Sequence, residues 1–236
     1  MKKLIAAKPL QKLANKEFFH DVKKYIKNTH GFYKDKLPEM NVMAVKFHEE
    51  YSLHDFYRIF NRLWNSGSNG ERSLAIHALE LYHDDFDMKT WHFLKGKLKD
   101  IKSFDEADCM GELLSYFYVK YPTFKKELLK LSSHSSIWIR RISLISCYHI
   151  LQKEGRDVLF MLAIIEHTIS DKDRYVQKII VAILTRVGRT KKDALKKFML
   201  HHTDMPEYIF IASTQRMKEL RKMRGLKKLN NARVLS

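Results

Sequence analysis

The stretch SFDEAD, residues 103–108, carries the side chains best placed for chemistry. Three carboxylates, Asp105, Glu106 and Asp108, follow one aromatic, Phe104, in a chain whose formal charge is +17. Two of the three have a structural explanation. Ser103-x-x-Glu106 is a capping box: Ser103 accepts from the Glu106 backbone, and Glu106 reaches back. Asp105 lies in the first helical turn, where the helix dipole favours an anion. Asp108 has neither role. It stands four residues after Phe104 on the same helix face, with Gly111 three residues beyond. An aromatic ring, a carboxylate and open space beside the glycine would make a small pocket floor. The competing assignment for Asp108 is a salt bridge to a basic neighbour such as Arg141 or a lysine.

The elements that position these residues are helices. Alternating strand patterns are nearly absent, and Pro9, Pro38, Pro122 and Pro206 each stand where a helix can begin. Capping residues precede apolar runs at Ser135-Ser136 and at Asp171 to Asp173. Two of these runs resemble each other. Trp138-Ile139-Arg140-Arg141-Ile142 aligns with Tyr175-Val176-Gln177-Lys178-Ile179 as aromatic, β-branched, polar, basic, apolar. Each follows a shorter amphipathic segment, and two earlier pairs repeat the plan, with second helices starting about 33 to 37 residues apart. Such a period predicts an all-α, right-handed α-solenoid of helix pairs, with a concave face lined by the second helices. A non-repetitive helical bundle is the alternative. Residues 1–236 are expected to form one helical-repeat domain, with a repeat body over about 15–215 and a basic tail over 216–236. Arg140, Arg141 and Lys178 are candidates for one basic groove. The tail is either a helix along a phosphate backbone or a solvated end.

Composition narrows the partner. Forty-four Lys and Arg stand against 27 Asp and Glu. That balance favours polyanions, nucleic acid before membrane surface. No run approaches the roughly 18 apolar residues of a membrane span, and the N-terminal LIAA is too short for a signal peptide. The chain is therefore expected to be cytoplasmic. Cys109 and Cys147 have no Cys-x-x-Cys partner, so neither disulfide nor zinc is expected. The histidines lack ligand spacing, so no metal is expected, and there is no Gly-rich phosphate loop or serine elbow.

Taken together, these motifs resemble the AlkD-type DNA alkylation repair glycosylases, built from HEAT-like repeats. The resemblance spans about residues 15 to 215. SFDEAD resembles the family's aromatic-Asp-x-x-Asp stretch, which would make Asp108 catalytic. SSIWIRRISLI resembles its Trp-x-x-Arg helix, which would place Trp138 and Arg141 at the DNA. YVQKIIVAILTR resembles the next repeat's Gln-Lys helix, and VKKYIKN an N-terminal stretch with an active-site tyrosine, here Tyr25. Two positions depart from the pattern: Phe104 stands where the family has tryptophan, and Ala182 where it has a second cleft tryptophan.

The resemblance implies a monomeric, cofactor-free glycosylase on double-stranded DNA with alkylated bases. It would hydrolyse the N-glycosidic bond of purines alkylated at N3 or N7, without flipping the base into a pocket. Such a base is already cationic and leaves neutral, so no general acid is needed. An anion near the oxocarbenium-like sugar is what helps. Asp108 would supply it, with Phe104 and Tyr25 packed on the deoxyribose. The alternative keeps the groove, assigns Asp108 to a salt bridge and leaves a non-catalytic DNA-binding protein. A protein-binding solenoid would need apolar rather than basic concave residues. The enzyme reading expects an accessible Asp108 without bidentate Arg or Lys contact.

Overall fold

The computed structural model describes residues 37–153, 155, 157–215, 217, 219 and 220. Tyr25 and most of the basic tail lie outside them. Every regular element among the described residues is helical. The chain's contacts cluster into two compact units, divided between Asp85 and Phe86.

In the first unit, α1 (Leu37–Glu50), α2 (Leu53–Trp64) and α3 (Asn69–Glu80) pack with α3 against both others. Ser52 and Ser68 cap α2 and α3, accepting from the Asp55 and Glu71 amides. Phe47, Phe56, Phe60 and Trp64 are fully buried there. Tyr82 stacks on Phe56 and donates its hydroxyl to the Phe47 and Tyr51 carbonyls.

The second unit holds α4 (Met88–Lys95), α5 (Phe104–Lys120), α6 (Lys125–Ser132), α7 (Ile137–Lys153), α8 (Val158–Thr168), α9 (Arg174–Thr190), α10 (Lys192–His201) and α11 (Glu207–Ser213). Its helices form two layers. In one, α5 packs on α7, α7 on α9 and α9 on α11; in the other, α6 packs on α8 and α8 on α10. Short turns cross between layers, so each pair buries its apolar faces against the next, as expected of a helical repeat. Second helices begin at Asn69, Phe104, Ile137 and Arg174, at the predicted spacing.

Starts and stops follow the sequence signals. Asp87 and Thr90 form a capping box on α4. Ser103 caps α5, accepting from the Glu106 amide at 3.2 Å. The Glu106 carboxylate reaches one residue further back than the usual box, accepting from the Lys102 amide. Asp173 caps α9 through the Tyr175 and Val176 amides. Caps of this kind are worth roughly 1 kcal/mol each.

Polar ties between repeats join residues about one period apart. Buried Ser146 on α7 donates to the Gly111 carbonyl on α5 at 2.8 Å, and Tyr121 donates to the Phe86 carbonyl, each across a separation of 35 residues. Gly111 itself corrects the expected open space. A Cβ built there would lie 2.6 Å from the Ile145 Cβ and 2.9 Å from the Ile142 carbonyl oxygen. The missing side chain admits α7, not a ligand. Gly111→Ala should therefore lower stability by about 1–3 kcal/mol in urea unfolding, because backbone and a β-branched residue must shift. Gly96→Ala is the control. There the nearest atom is 3.5 Å from an added Cβ, and the change should be neutral or stabilising by up to about 1 kcal/mol.

Candidate active site

Three consecutive helices of one layer bring their first turns together. Phe104 opens α5, with Asp108 one turn on; Trp138 and Arg141 occupy the first two turns of α7; Tyr175 lies in the first turn of α9. The ladder α5–α7–α9 thus converts residues far apart in sequence into neighbours.

The link among them is the Arg141 guanidinium. Its Nε donates to Asp108 Oδ1 at 2.6 Å and its Nη2 to Oδ2 at 2.8 Å. Its Nη1 donates to the Tyr175 carbonyl. The arginine side chain is only 11% exposed, whereas Asp108 is 36% exposed. The expected accessible carboxylate is therefore present, but the expectation that it lacks a bidentate arginine is overturned. A buried guanidinium needs such partners, because its charge cannot be left desolvated and unpaired.

Aromatic rings surround this pair. Phe104 and Tyr175 stack with centroids 5.7 Å apart and planes 12° from parallel. Trp138 tilts against Tyr175 at 5.6 Å and 45°. In the sequence Tyr175 aligns with Trp138 as its repeat equivalent. That alignment was the signal that it shares the site.

Arg140 has different work. Its Nε donates to Asp171 at 2.6 Å, and its Nη1 to the His134 and Ser135 carbonyls. It ties together the loops before α7 and α9. Adjacent helical residues point about 100° apart, so Arg140 and Arg141 serve separate places. Lys178 is exposed one turn along α9 from Tyr175, and Ala182 is half-buried beyond it. Among the described residues no group of three or more His, Cys, Asp or Glu is placed to hold a metal ion, and no helix is long and apolar enough to cross a membrane.

Fold and site together describe a helical-repeat protein with an arginine-anchored carboxylate among aromatic rings. The model of the DNA alkylation repair enzyme family matches residues 6–227, and the chain belongs to that family. It is similar to a solved structure described as a predicted DNA alkylation repair enzyme from Enterococcus faecalis. The TM-score is 0.68 at 14% identity, over 86% of this chain and 96% of that one. No curated protein matches the sequence. Membership supports a role in alkylation repair and implies DNA as the partner.

Asp105 departs from its simple sequence explanation. Burial raises its pKa, the Asp108 charge raises it further, and Arg141 acts in the opposite direction. A carboxyl whose folded pKa is raised binds its proton more tightly when folded. It therefore costs stability as pH rises above the ordinary carboxylate range. Asp105→Asn should melt above the native protein at pH 7. The gap should close as pH falls through the carboxylate range, where both side chains are neutral.

Proposed function

We propose that this protein is a DNA glycosylase that hydrolyses the N-glycosidic bond of N3- or N7-alkylated purines in duplex DNA. The observation that carries the reading is the half-exposed Asp108 carboxylate, fixed by Arg141 beside the stacked rings of Phe104 and Tyr175. A cationic purine departs as a neutral base, taking the bond pair with it. The barrier lies in the positive charge left on the sugar. A carboxylate oriented in advance stabilises that charge without reorganising. Two arginine N–H groups occupy only part of the roughly four acceptor sites of a carboxylate. The remaining sites can orient the attacking water and face the sugar. The guanidinium charge offsets part of the carboxylate's field, so the sugar must approach from the side away from Arg141.

Arg141 then acts as a positioning residue, since so little of it is exposed. Phosphate contact falls to exposed side chains such as Lys178. Trp138 backs the site through Tyr175. With phenyl at Phe104 and methyl at Ala182, the aromatic cradle is smaller than the family resemblance implies. Tyr25 would add a ring, from outside the described residues. Arg140 is committed to the loop ties and takes no part.

One observation favours a second reading. The bidentate pair is also what a structural salt bridge looks like, and it fits a non-catalytic, structure-selective DNA-binding protein.

Base release separates the two. Duplex DNA carrying N7-methylguanine or N3-methyladenine should lose the base with the native protein. Asp108→Asn should slow release by at least roughly 100-fold while binding is retained. Binding without release by either protein would leave the DNA-binding reading. Binding in both readings should weaken steeply with added salt.

A further inference from the structure

We infer that Tyr175 is a substrate-facing residue of this site, forming with Phe104 one aromatic surface that selects for positive charge on the sugar and base. The inference rests on the glycosylase reading. Exposure is the first observation. Phe47, Phe56, Phe60, Phe86, Phe117, Phe124, Trp64 and Trp91 are all essentially buried, whereas Phe104 is 40% exposed and Tyr175 is 42% exposed. Tyr208 is comparably exposed, but the Arg174 guanidinium lies 4.3 Å from its ring centre. Apolar side chains such as Val42 and Leu159 are exposed elsewhere, but Phe104 and Tyr175 are exposed in stacked contact with each other, and contiguous exposed apolar surface marks a contact site.

Geometry is the second observation. Near-parallel rings whose centroids are 5.7 Å apart are displaced sideways, since ring planes in contact sit roughly 3.5 Å apart. Part of each face is therefore uncovered. These negative faces lie at the same helix starts as the Asp108 carboxylate. A cation reaching that carboxylate meets rings and anion together.

The third observation separates the ring's role from the backbone's. The Tyr175 carbonyl, not its ring, receives Arg141. The Tyr175 amide, not its ring, is capped by Asp173. Changing the ring leaves both bonds in place.

Tyr175→Phe and Tyr175→Leu make the test, because leucine fills space without offering an aromatic face. Single-turnover release of N7-methylguanine from duplex DNA is measured with both variants. Binding to undamaged duplex and melting temperature are measured in parallel. Tyr175→Leu should release the base roughly 3- to 30-fold more slowly than Tyr175→Phe, with binding and melting alike in the two variants. A native rate from Tyr175→Leu overturns the assignment while leaving the glycosylase reading intact. Slower release accompanied by an equal loss of binding or by early melting overturns it too, making the ring structural. No release by the native protein overturns the glycosylase reading, and this assignment with it.

Discussion

The second unit depends on how one buried cation is neutralised. Arg141 sits on α7, grips Asp108 on α5 with two hydrogen bonds and holds the α9 backbone with a third. Removing the carboxylate would leave the largely buried Arg141 charge unpaired, which costs far more than a lost surface pair. The interaction therefore joins three helices at the point where their side chains converge. Fold and site are not separable here. The same bonds that hold successive repeats together set the orientation of the only carboxylate in the cluster that is both anchored and accessible.

Around this centre, repetition does the positioning. Three of the four second helices, α3, α5 and α9, begin from a turn capped by Ser68, Ser103 or Asp173. Trp138 and Tyr175 are the second residues of their helices and one position of the repeat used twice, while Phe104 is the first residue of α5. Stacked layers bring those positions within ring-contact distance. A site built in this way needs no long loop to fold over it. Its shape follows from the pitch of the stacking, which suits a surface meant to meet an extended partner such as DNA.

Much of this was legible in sequence, for physical reasons. Helix pairs, caps and period are local properties, and local chemistry determines them. Asp108 stands out because it alone of the three carboxylates in SFDEAD has neither a capping role nor a place in the first helical turn. Other features depend on what the neighbouring helix does. A glycine reads either as space or as close approach, and only Ile145 against Gly111 decides between them. Arg140 and Arg141 look alike in the chain, but helical geometry sends one to the loops and the other to Asp108. Asp105 reads as an ordinary first-turn anion until burial beside a second carboxylate is known. Tyr175 was visible as a repeat position, while its exposure was not. Whether Asp108 would be paired was posed by the sequence, and its answer required the arginine's burial.

The seat at Gly111 has a consequence for α7 as a rotating body. Gly111 lies three residues after Asp108, and Ile145 four residues after Arg141, so the close contact is about one turn below the ion pair on both helices. Only a residue without a side chain lets Ile145 settle there, with Ser146 bonded alongside. The contact therefore works as an index mark. It fixes the rotation of α7 about its own axis and points the guanidinium at its carboxylate. A single residue inserted within α7 between Arg141 and Ile145 would turn one relative to the other by about 100°. The helix could still form, but the indexed contact and the ion pair could no longer be made together.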